Sequence, residues 1–440
     1  MTYAGAIRFL SGLQVFGARP GLDTAFKLAS AVGNPQDQLR FIHVAGTNGK
    51  GSTCALLEGI YRAAGLRVGL YTSPHLVSFR ERIQINRQLI RPEDVVRLLE
   101  KIQAAIPPLP PEQHPTFFEV VTVMALLHFA EQRCELILWE TGLGGRLDAT
   151  NIVTPLVAVI TNIGLDHQRW LGDTLEAIAA EKAGIIKLGV PAITAAQEPA
   201  ALGIIEQSAR RASAPLKLVT ATDVEHTDRV APRMGLPGAH QRWNAATALA
   251  VVETLRPVLP VSDAAIRRGL ETVQWPGRLQ RVERAPGRHA LLDGAHNPAG
   301  MATLCAALRQ DLPGQRFTLV FGTMSDKDWA LMLREVAPLA GRILLPVLRS
   351  PRAVPPAALV PACRAANSDA ETMICASTGD ALAQTAGDAL VLVTGSLYLV
   401  GEAIEALGLD EAADERELNE YGVPPMGVLP AGEPPASAPF

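Results

Sequence analysis

The chain has 440 residues, 48% of them hydrophobic and 19% charged, which is typical of a globular protein with two domains rather than one core. Forty Lys and Arg residues against 44 Asp and Glu residues give a net charge of −4, which excludes a polybasic surface for nucleic acid or an anionic membrane. No apolar run is long enough to span a bilayer, the N-terminus does not resemble a secretion signal, and the five cysteines form no CxxC pair, so we expect a cytoplasmic protein without disulfides or zinc.

A glycine-rich turn between a strand and a helix is the central feature of the first half of the chain. Residues 41–44 predict a buried strand, three glycines follow closely, and residues 54–64 have helical periodicity. Such a turn binds phosphate through backbone N–H groups, and Lys50 adds a full positive charge. The spacing departs from a strict G-x-x-x-x-G-K-[ST] motif, because Val44 and Gly51 stand at two of its positions. An ordinary glycine-rich turn therefore remains the alternative.

Strands and helices alternate along most of the chain, which is typical of a mostly parallel sheet wrapped by helices. We therefore predict an α/β fold with an N-terminal, ATP-binding domain over residues 1–284, which contains the phosphate loop. Residues 285–288 look like a linker, and residues 289–410 predict a smaller, Rossmann-like α/β domain. Residues 411–440 are acidic and then rich in Pro, Gly and Ala, which predicts a disordered tail.

Polar side chains follow several predicted strands of the first domain. Ser73, Glu140 and His167 stand, like Lys50, at the carboxyl end of a strand, and these ends line one edge of a parallel sheet. A hydroxyl, a carboxylate and an imidazole opposite a phosphate loop predict a Mg²⁺ site. Taken singly, each has an ordinary alternative: a turn former, a surface charge and a helix cap, respectively.

Lys182 poses a different problem, because a lysine near a metal cluster would repel the ion. Reaction with CO₂ would convert its amine into a carbamate, an oxygen donor, although a solvated helix end is the ordinary reading of the segment EKAGIIK. Further along, Asp293 and His296 follow the first strand of the second domain, and Arg278 lies just before the predicted linker, where it could reach a phosphate. Asn244 either caps a helix or hydrogen-bonds an adenine.

Together these segments resemble the folylpolyglutamate synthase and dihydrofolate synthase family of the ATP-dependent Mur-type amide ligases. The matching motifs run from about residue 20 to residue 405 and are HVAGTNGKGST, YTSPHL with ERI, TFFE, ETGLGGRLDATN, LDHQRWLG with EKAGIIK, NAATAL, PGRLQ, DGAHNP, DKD and TGSLY. Motifs this long and numerous are highly specific.

The resemblance implies a role for each matching residue. The residues implied for ATP are Gly49, Lys50, Gly51, Ser52, Asn244, Arg278 and Asp293. Those implied for Mg²⁺ are Ser73, Glu140, His167 and a carbamylated Lys182, and the catalytic set is Lys50, Lys182 and His296. The residues implied to border the pterin site are Thr116, Leu147, Asp148 and Ala149.

The resemblance also implies the reaction and its partners. ATP would phosphorylate the carboxylate of dihydropteroate or of a reduced folate, and the amine of L-glutamate would displace the phosphate. We expect one or both glutamylation activities, and a monomer. A cell-wall Mur ligase is the nearest alternative, against which the extra Gly51 and the LDATN and DGAHNP segments argue. A nucleotide-binding regulatory or kinase-like protein is the alternative from another class, and it would leave Asp293 and His296 unexplained.

Overall fold

The computed structural model describes residues 1–14, 21–106, 114–410, 415 and 418, which form two sheets flanked by helices. The helices are α1 (Tyr3–Leu13), α2 (Asp23–Ala31), α3 (Lys50–Ala63), α4 (Pro92–Ala105), α5 (Phe117–Glu131), α6 (Gln168–Leu171), α7 (Leu175–Ala183), α8 (Pro199–Arg211), α9 (Ala221–Val230), α10 (Ala239–Leu255), α11 (Asp263–Thr272), α12 (Pro298–Asp311), α13 (Trp329–Val336), α14 (Pro356–Ala366), α15 (Thr378–Gln384) and α16 (Leu397–Ala406). The strands are β1 (Phe41–Ala45), β2 (Val68–Tyr71), β3 (Ile83–Ile85), β4 (Gln88–Leu89), β5 (Leu136–Glu140), β6 (Val157–Ile160), β7 (Ala192–Thr194), β8 (Leu216–Leu218), β9 (Gln280–Ala285), β10 (Arg288–Leu292), β11 (Phe317–Phe321), β12 (Ala340–Pro346), β13 (Glu371–Cys375) and β14 (Leu390–Thr394).

The first sheet has the strand order β4-β3-β2-β5-β1-β6-β7-β8, and its strands pair in parallel except at one edge, where β3 pairs antiparallel with both β2 and β4. Every residue of β1 and β5 is buried, because helices cover both faces of these central strands. Strands buried on both faces are continuous apolar runs, which is why the sequence revealed them. The predicted α/β fold is thereby confirmed. In the described part of the chain, no helix combines the length and apolar character needed to cross a bilayer.

The second sheet has the order β13-β12-β11-β14-β10-β9 and is parallel except for β9. The prediction of a linker at residues 285–288 was wrong, because β9 and β10 pair there as an antiparallel hairpin. The second sheet thus begins at Gln280, before the predicted domain boundary. In β9 the exposed residues alternate with half-buried ones, as expected for an edge strand. Pro286 and Gly287, which made residues 285–288 look like a linker, form the turn of this hairpin.

A loop of the first half inserts into the core of the second half. After β2, Val77 is 3% exposed and packs among residues of the second sheet and α16, with Leu76 beside it. The Glu81 carboxylate accepts the backbone N–H groups of Leu76, Val77 and Ser78 at 2.8, 2.8 and 2.7 Å, which fixes the loop. This insertion joins the two sheets through an apolar contact.

Gly401 in α16 makes that contact possible, and its substitution is expected to weaken it. A Cβ at this position would lie 2.1 Å from the carbonyl oxygen of Leu76, a backbone atom that cannot rotate away. We expect Gly401→Ala to lower the free energy of unfolding by about 1–3 kcal/mol, as overpacking does. Urea titration measures the loss. Gly203→Ala in α8 is the matched control, since nothing lies within 4 Å of its Cβ, and an equal effect of the two variants would contradict the prediction.

Two residues of the predicted tail are held against the first half of the chain. The Glu415 carboxylate accepts hydrogen bonds from the Tyr3 hydroxyl at 2.6 Å, the Ser78 hydroxyl at 2.7 Å and the Phe79 N–H at 2.5 Å. Leu418 is 1% exposed in the core cluster that contains α1 and α5. The prediction of disorder is therefore wrong at these two positions, and the rest of residues 411–440 lies outside the described residues. Composition alone did not distinguish a docked acidic segment from a disordered one.

His43 in the middle of β1 should make stability depend on pH. Its ring is completely buried beside Thr150, with Nε2 3.0 Å from the hydroxyl, and burial lowers its pKa to about 3, helped by the Lys187 charge. The unfolded chain then binds a proton below about pH 6.5 that the folded chain does not bind. The unfolding free energy therefore falls as pH drops from about 6.5 toward 3, by up to about 1.4 kcal/mol per pH unit.

The measurement compares urea unfolding of the wild type and His43→Gln at pH 7.0 and pH 5.5. We expect the variant to lose less stability than the wild type over this interval, by about 1 kcal/mol. His226→Gln, at an exposed position of α9, is the control and should follow the wild type. Identical pH dependence of the wild type and His43→Gln would contradict the prediction.

Candidate active site between the two sheets

A cavity of about 1860 Å³ lies between the two sheets and is lined by residues of both. It collects every site residue that the sequence predicted, which are Gly49, Lys50, Gly51, Ser52, Ser73, Thr116, Glu140, Leu147, Asp148, Ala149, His167, Lys182, Asn244, Arg278, Asp293 and His296. These residues are spread over about 250 positions of the chain. Their placement on one cavity is a property of the fold, and the role of each stays a prediction.

The glycine-rich loop connects β1 to α3 in a conformation that only glycine tolerates at two positions. Gly46 has φ 149° and Gly49 has φ 87°, in the region that favours glycine. A Cβ on Gly46 would lie 1.9 Å from Thr161 Oγ1, and one on Gly49 would lie 2.5 Å from Asn244 Oδ1. The loop ends at the N-terminus of α3, where unpaired N–H groups and the helix dipole favour an anion.

The departure from the strict phosphate-loop motif at Gly51 has a local reason. A Cβ at this position would lie 3.2 Å from Trp275 Nε1, in the segment before β9. The glycine lets the indole approach the first turn of α3. Trp275, which packs against the core of the first sheet, thus lies beside the start of α3.

Two lysines share one carbonyl oxygen at this loop. Lys50 Nζ donates to Gly46 O at 3.1 Å and to Thr47 O at 3.3 Å, and Lys182 Nζ donates to Gly46 O at 2.9 Å. Burial and, to a smaller extent, the nearby Lys50 charge together lower the pKa of Lys182 to about 7, against the opposing charges of Asp166 and Asp148. Lys182 is therefore partly a neutral amine at physiological pH, unlike a solvated lysine. The interpretation of Lys182 as a solvated helix end is wrong.

Glu140 presents a buried carboxylate at the end of β5. It is 4% exposed and accepts the Ser73 N–H at 3.2 Å, so the interpretation of Glu140 as a surface charge is wrong. Burial raises its pKa to about 7, although the Lys50 charge lowers it. A buried carboxylate with a raised pKa lacks enough positive charge around it, and a divalent cation supplies such charge.

His167 occupies the N-cap position of α6, yet its side chain makes no capping hydrogen bond. The described residues contain no group of three His, Cys, Asp or Glu side chains placed to hold a metal ion. Mg²⁺ keeps several waters and needs only one or two protein carboxylates besides nucleotide phosphates. Glu140, Ser73 and His167 therefore fit Mg²⁺ bound together with a nucleotide, whereas Lys182 fits only after loss of its positive charge.

Another part of the cavity wall comes from the start of α5 and the loop after β5. Thr116 caps α5 in a capping box with Glu119. The buried Asp148 carboxylate accepts the N–H groups of Leu143 at 2.8 Å and Thr150 at 3.0 Å, so it shapes the loop that carries Leu147. The lining here combines hydrophobic side chains with backbone polar groups, which suits a flat, partly polar ring system.

The residues of the C-terminal side are held by backbone contacts. The two oxygens of Asp293 accept the N–H groups of Leu279 and Ala295, both at 2.9 Å, and His296 Nδ1 lies 2.8 Å from Gly294 O.

Asn244 lies inside α10 rather than at its start, so the alternative that it caps a helix is wrong. Its Nδ2 donates to Gln241 Oε1 at 2.8 Å.

The sequence did not single out a group of polar residues that joins the two sides of this cavity. Asp166 accepts the ammonium of Lys327 at 2.7 Å, and Asn297 contacts both Asp166 and Asn48. Burial raises the pKa of Asp166, but the nearby His296 imidazole, His167 and the Lys327 ammonium outweigh it, so that pKa is well below its usual range. All of these residues lie in or beside motifs noted above, but only the fold shows that they touch.

Comparison with known families places two domains on the chain. The Mur ligase middle domain matches residues 44–252, and the Mur ligase, glutamate ligase domain matches residues 277–397. The second match begins three residues before β9, close to the start of the second sheet.

Relatives match over nearly the whole chain. The dihydrofolate synthase/folylpolyglutamate synthase of Bacillus subtilis is 36% identical over 429 residues, covering 91% of this chain and 98% of the relative. The structure of a folylpolyglutamate synthase from Thermotoga maritima has a TM-score of 0.80 at 34% identity and covers 94% of this chain and 99% of its own. The structure of E. coli FolC in complex with DHPP and ADP has a TM-score of 0.82 at 32% identity, covering 93% and 98%.

Proposed function

The chain belongs to the dihydrofolate synthase and folylpolyglutamate synthase family of Mur ligases, and we propose that it joins L-glutamate to dihydropteroate, to reduced folates or to both. It is thus an ATP-dependent ligase whose substrates are ATP and a folate-type acid. We further propose that the reaction passes through an acyl phosphate. One observation carries the proposal: Lys50 of the phosphate loop and the buried carboxylate of Glu140 line one cavity between the two sheets.

The chemistry explains why such a cavity is needed. A carboxylate does not react with an amine at neutral pH, because oxide is too poor a leaving group. Transfer of the γ-phosphoryl group of ATP to the carboxylate oxygen forms an acyl phosphate and ADP. The glutamate amine then attacks the carbonyl carbon, the bond from that carbon to the phosphate oxygen breaks, and the amide and inorganic phosphate are formed with loss of a proton from the amine. Lys50 and the first N–H groups of α3 stabilise the charge on the transferring group.

We propose Mg²⁺ at Ser73, Glu140 and His167. When bound, it neutralises charge on the nucleotide phosphates. The raised pKa of Glu140 supports this assignment, since a cation would return the carboxylate to its ionised form. Ser73 is held toward this position by the hydrogen bond between its N–H and Glu140.

Lys182 is proposed to be a carbamate in the working enzyme. A neutral amine attacks CO₂, forming an N–C bond and releasing one proton, and the lowered pKa of Lys182 supplies that neutral amine. The carbamate carries a negative charge that attracts the Lys50 ammonium, whereas a protonated Lys182 would repel it. The carbamate oxygens would be candidate ligands for the proposed Mg²⁺, since Lys182 lines the same cavity as Glu140.

The other predicted residues are assigned to ATP or to the folate-type acid. We propose that Asn244, Arg278 and Asp293 position ATP, with His296 nearby. The acid is proposed to bind along Thr116 and the loop of Leu147, Asp148 and Ala149. L-Glutamate would enter from the C-terminal side of the cavity.

A monomer in a reducing compartment, the cytoplasm, completes the proposal. The monomer is supported by the cavity, because both of its walls come from one chain. The reducing compartment is supported by the five cysteines, which are free and buried. A non-enzymatic nucleotide-binding regulator is disfavoured because it would not need the folate-type lining opposite the phosphate loop.

One assay tests the proposal. Enzyme with Mg-ATP is given dihydropteroate or tetrahydrofolate, each with and without L-glutamate, and ADP and amide product are measured. We expect continued ADP release over many turnovers only with an acid and an acceptor amine such as glutamate together, in a ratio near one ADP per amide. Replacing glutamate with hydroxylamine should yield a hydroxamate from the acyl phosphate. ADP release that ignores the acid would contradict the proposed function.

A further inference from the structure

The side-chain amide of Asn297 joins the two sides of the cavity at the phosphate loop, and all of its hydrogen-bonding groups have partners. Asn297, 2% exposed, donates from Nδ2 to Asn48 Oδ1 at 3.0 Å and to Asp166 Oδ2 at 2.9 Å. Its Oδ1 accepts the Gly300 N–H at 2.7 Å and Asn48 Nδ2 at 3.3 Å. An amide has two N–H donors and an oxygen with two lone pairs, so Asn297 uses all of its hydrogen-bonding capacity.

The Asp166 end of this contact carries an ion pair between the same two sides. Its Oδ1 lies 2.7 Å from Lys327 Nζ, with side-chain exposures of 8% and 10%, and its Oδ2 lies 3.7 Å from His296 Nε2. A pair so little exposed is screened by salt much less than a surface ion pair. Removal of one partner of such a pair leaves a charge without compensation.

These contacts fix the C-terminal side against the two loops that the reaction uses. Asn48 lies in the phosphate loop between Gly46 and Lys50, and Asp166 immediately precedes His167. On the opposite side, Asn297 begins α12 and Lys327 follows β11. The Asn297 amide therefore fixes the position of the C-terminal side relative to the phosphate loop, at the place where the phosphoryl group would be transferred.

We propose that Asn297 is a positioning residue that closes the C-terminal side over the phosphate loop and so protects the acyl phosphate from water. The inference rests on the proposed function, because an acyl phosphate must form for its protection to matter. If the C-terminal side moves away from the phosphate loop, water attacks the carbonyl carbon of the acyl phosphate. The bond from that carbon to the phosphate oxygen breaks, which regenerates the free acid and releases inorganic phosphate. ATP is then consumed without amide formation.

The test is the ratio of ADP released to amide formed in Asn297→Ser. Serine keeps the N-cap of α12, since its hydroxyl can accept the Gly300 N–H, but it lacks both Nδ2 donors. We expect the ratio to rise from near one to about three or more and the rate of amide formation to fall about tenfold. The dissociation constant of ADP, measured by calorimetry, should change less than about threefold, since the phosphate loop itself is intact.

Asn297→Asp provides a second variant should the serine variant fold poorly. It preserves shape and cap but places a carboxylate beside Asp166 and Asn48 Oδ1, so its ratio should rise at least as far. Ser377→Ala removes the N-cap of α15, outside the cavity lining, and is the control for loss of a cap alone, with an expected ratio near one.

A wild-type ratio near one with unchanged ratios and rates in both Asn297 variants would overturn the inference and leave the proposed function standing. A wild-type enzyme that forms no amide would overturn both. A merely structural role for Asn297 would lower the melting temperature and the rate but leave the ratio at one.

Discussion

Lys50→Met is expected to reduce the rate of ADP and amide formation by about a thousandfold, since we propose that the Lys50 ammonium stabilises the charge of the transferring phosphoryl group in a site partly shielded from water. The fold should survive, because within the described residues the hydrogen bonds of Lys50 Nζ are only with the carbonyl oxygens of Gly46 and Thr47. Steady-state kinetics measures the loss, and thermal unfolding verifies the fold.

Lys101→Met is the matched control for this change. Lys101 lies on α4 and does not line the cavity, and its Nζ lies 3.0 Å from Glu131. Its loss removes a charge of the same kind and should alter the rate less than about twofold, as exposed ion pairs contribute little. A Lys50→Met rate within tenfold of the wild type would exclude Lys50 from phosphoryl transfer.

Lys182→Ala is expected to lose activity by about a hundredfold or more, because it removes the proposed carbamate and leaves the metal site short of a ligand. Added bicarbonate should not restore the variant, whereas wild-type enzyme depleted of CO₂ should regain activity with bicarbonate. Carbon-13 NMR with labelled bicarbonate should show a carbamate signal in the wild type and not in the variant.

The pH dependence of this carbamate follows from the lowered pKa. With a pKa of about 7, the neutral amine of Lys182 predominates above pH 7 and is lost as pH falls. Formation of the carbamate should therefore weaken below about pH 6.5, far lower than for an ordinary lysine. Lys187→Ala, at the end of the same segment, is the control and should remain within about threefold of wild-type activity. Full activity in Lys182→Ala would remove the carbamate from the mechanism.

The central strands and the phosphate loop were predictable because their signals are local. β1 and β5 are continuous apolar runs, and the loop between β1 and α3 concentrates glycines around Lys50. The ends of parallel strands must meet at one edge, so Glu140 could be assigned to the same site as Lys50 from strand positions alone.

The parts that the sequence did not reveal depend on contacts between distant segments. Residues 285–288 were predicted to be a linker because they contain Pro and Gly, but Ala285 and Arg288 pair across the β9–β10 hairpin. Asn297 and Asp166 are separated by 131 positions, and no periodicity shows that one amide contacts both Asp166 and Asn48. Glu415 satisfies Ser78 and Phe79 from a segment whose composition predicts disorder.

A crystal structure with Mg²⁺ and a non-hydrolysable ATP analogue tests the proposed mechanism most directly, since that mechanism requires the triphosphate, the cation and the acid to meet between the two sheets. We expect the phosphates on the N-terminus of α3 beside Lys50 and the cation at about 2.0–2.2 Å from a Glu140 oxygen, with His167 in its coordination sphere. A nucleotide bound elsewhere, or a cation beside Lys50 that neither Glu140 nor His167 coordinates, would contradict it.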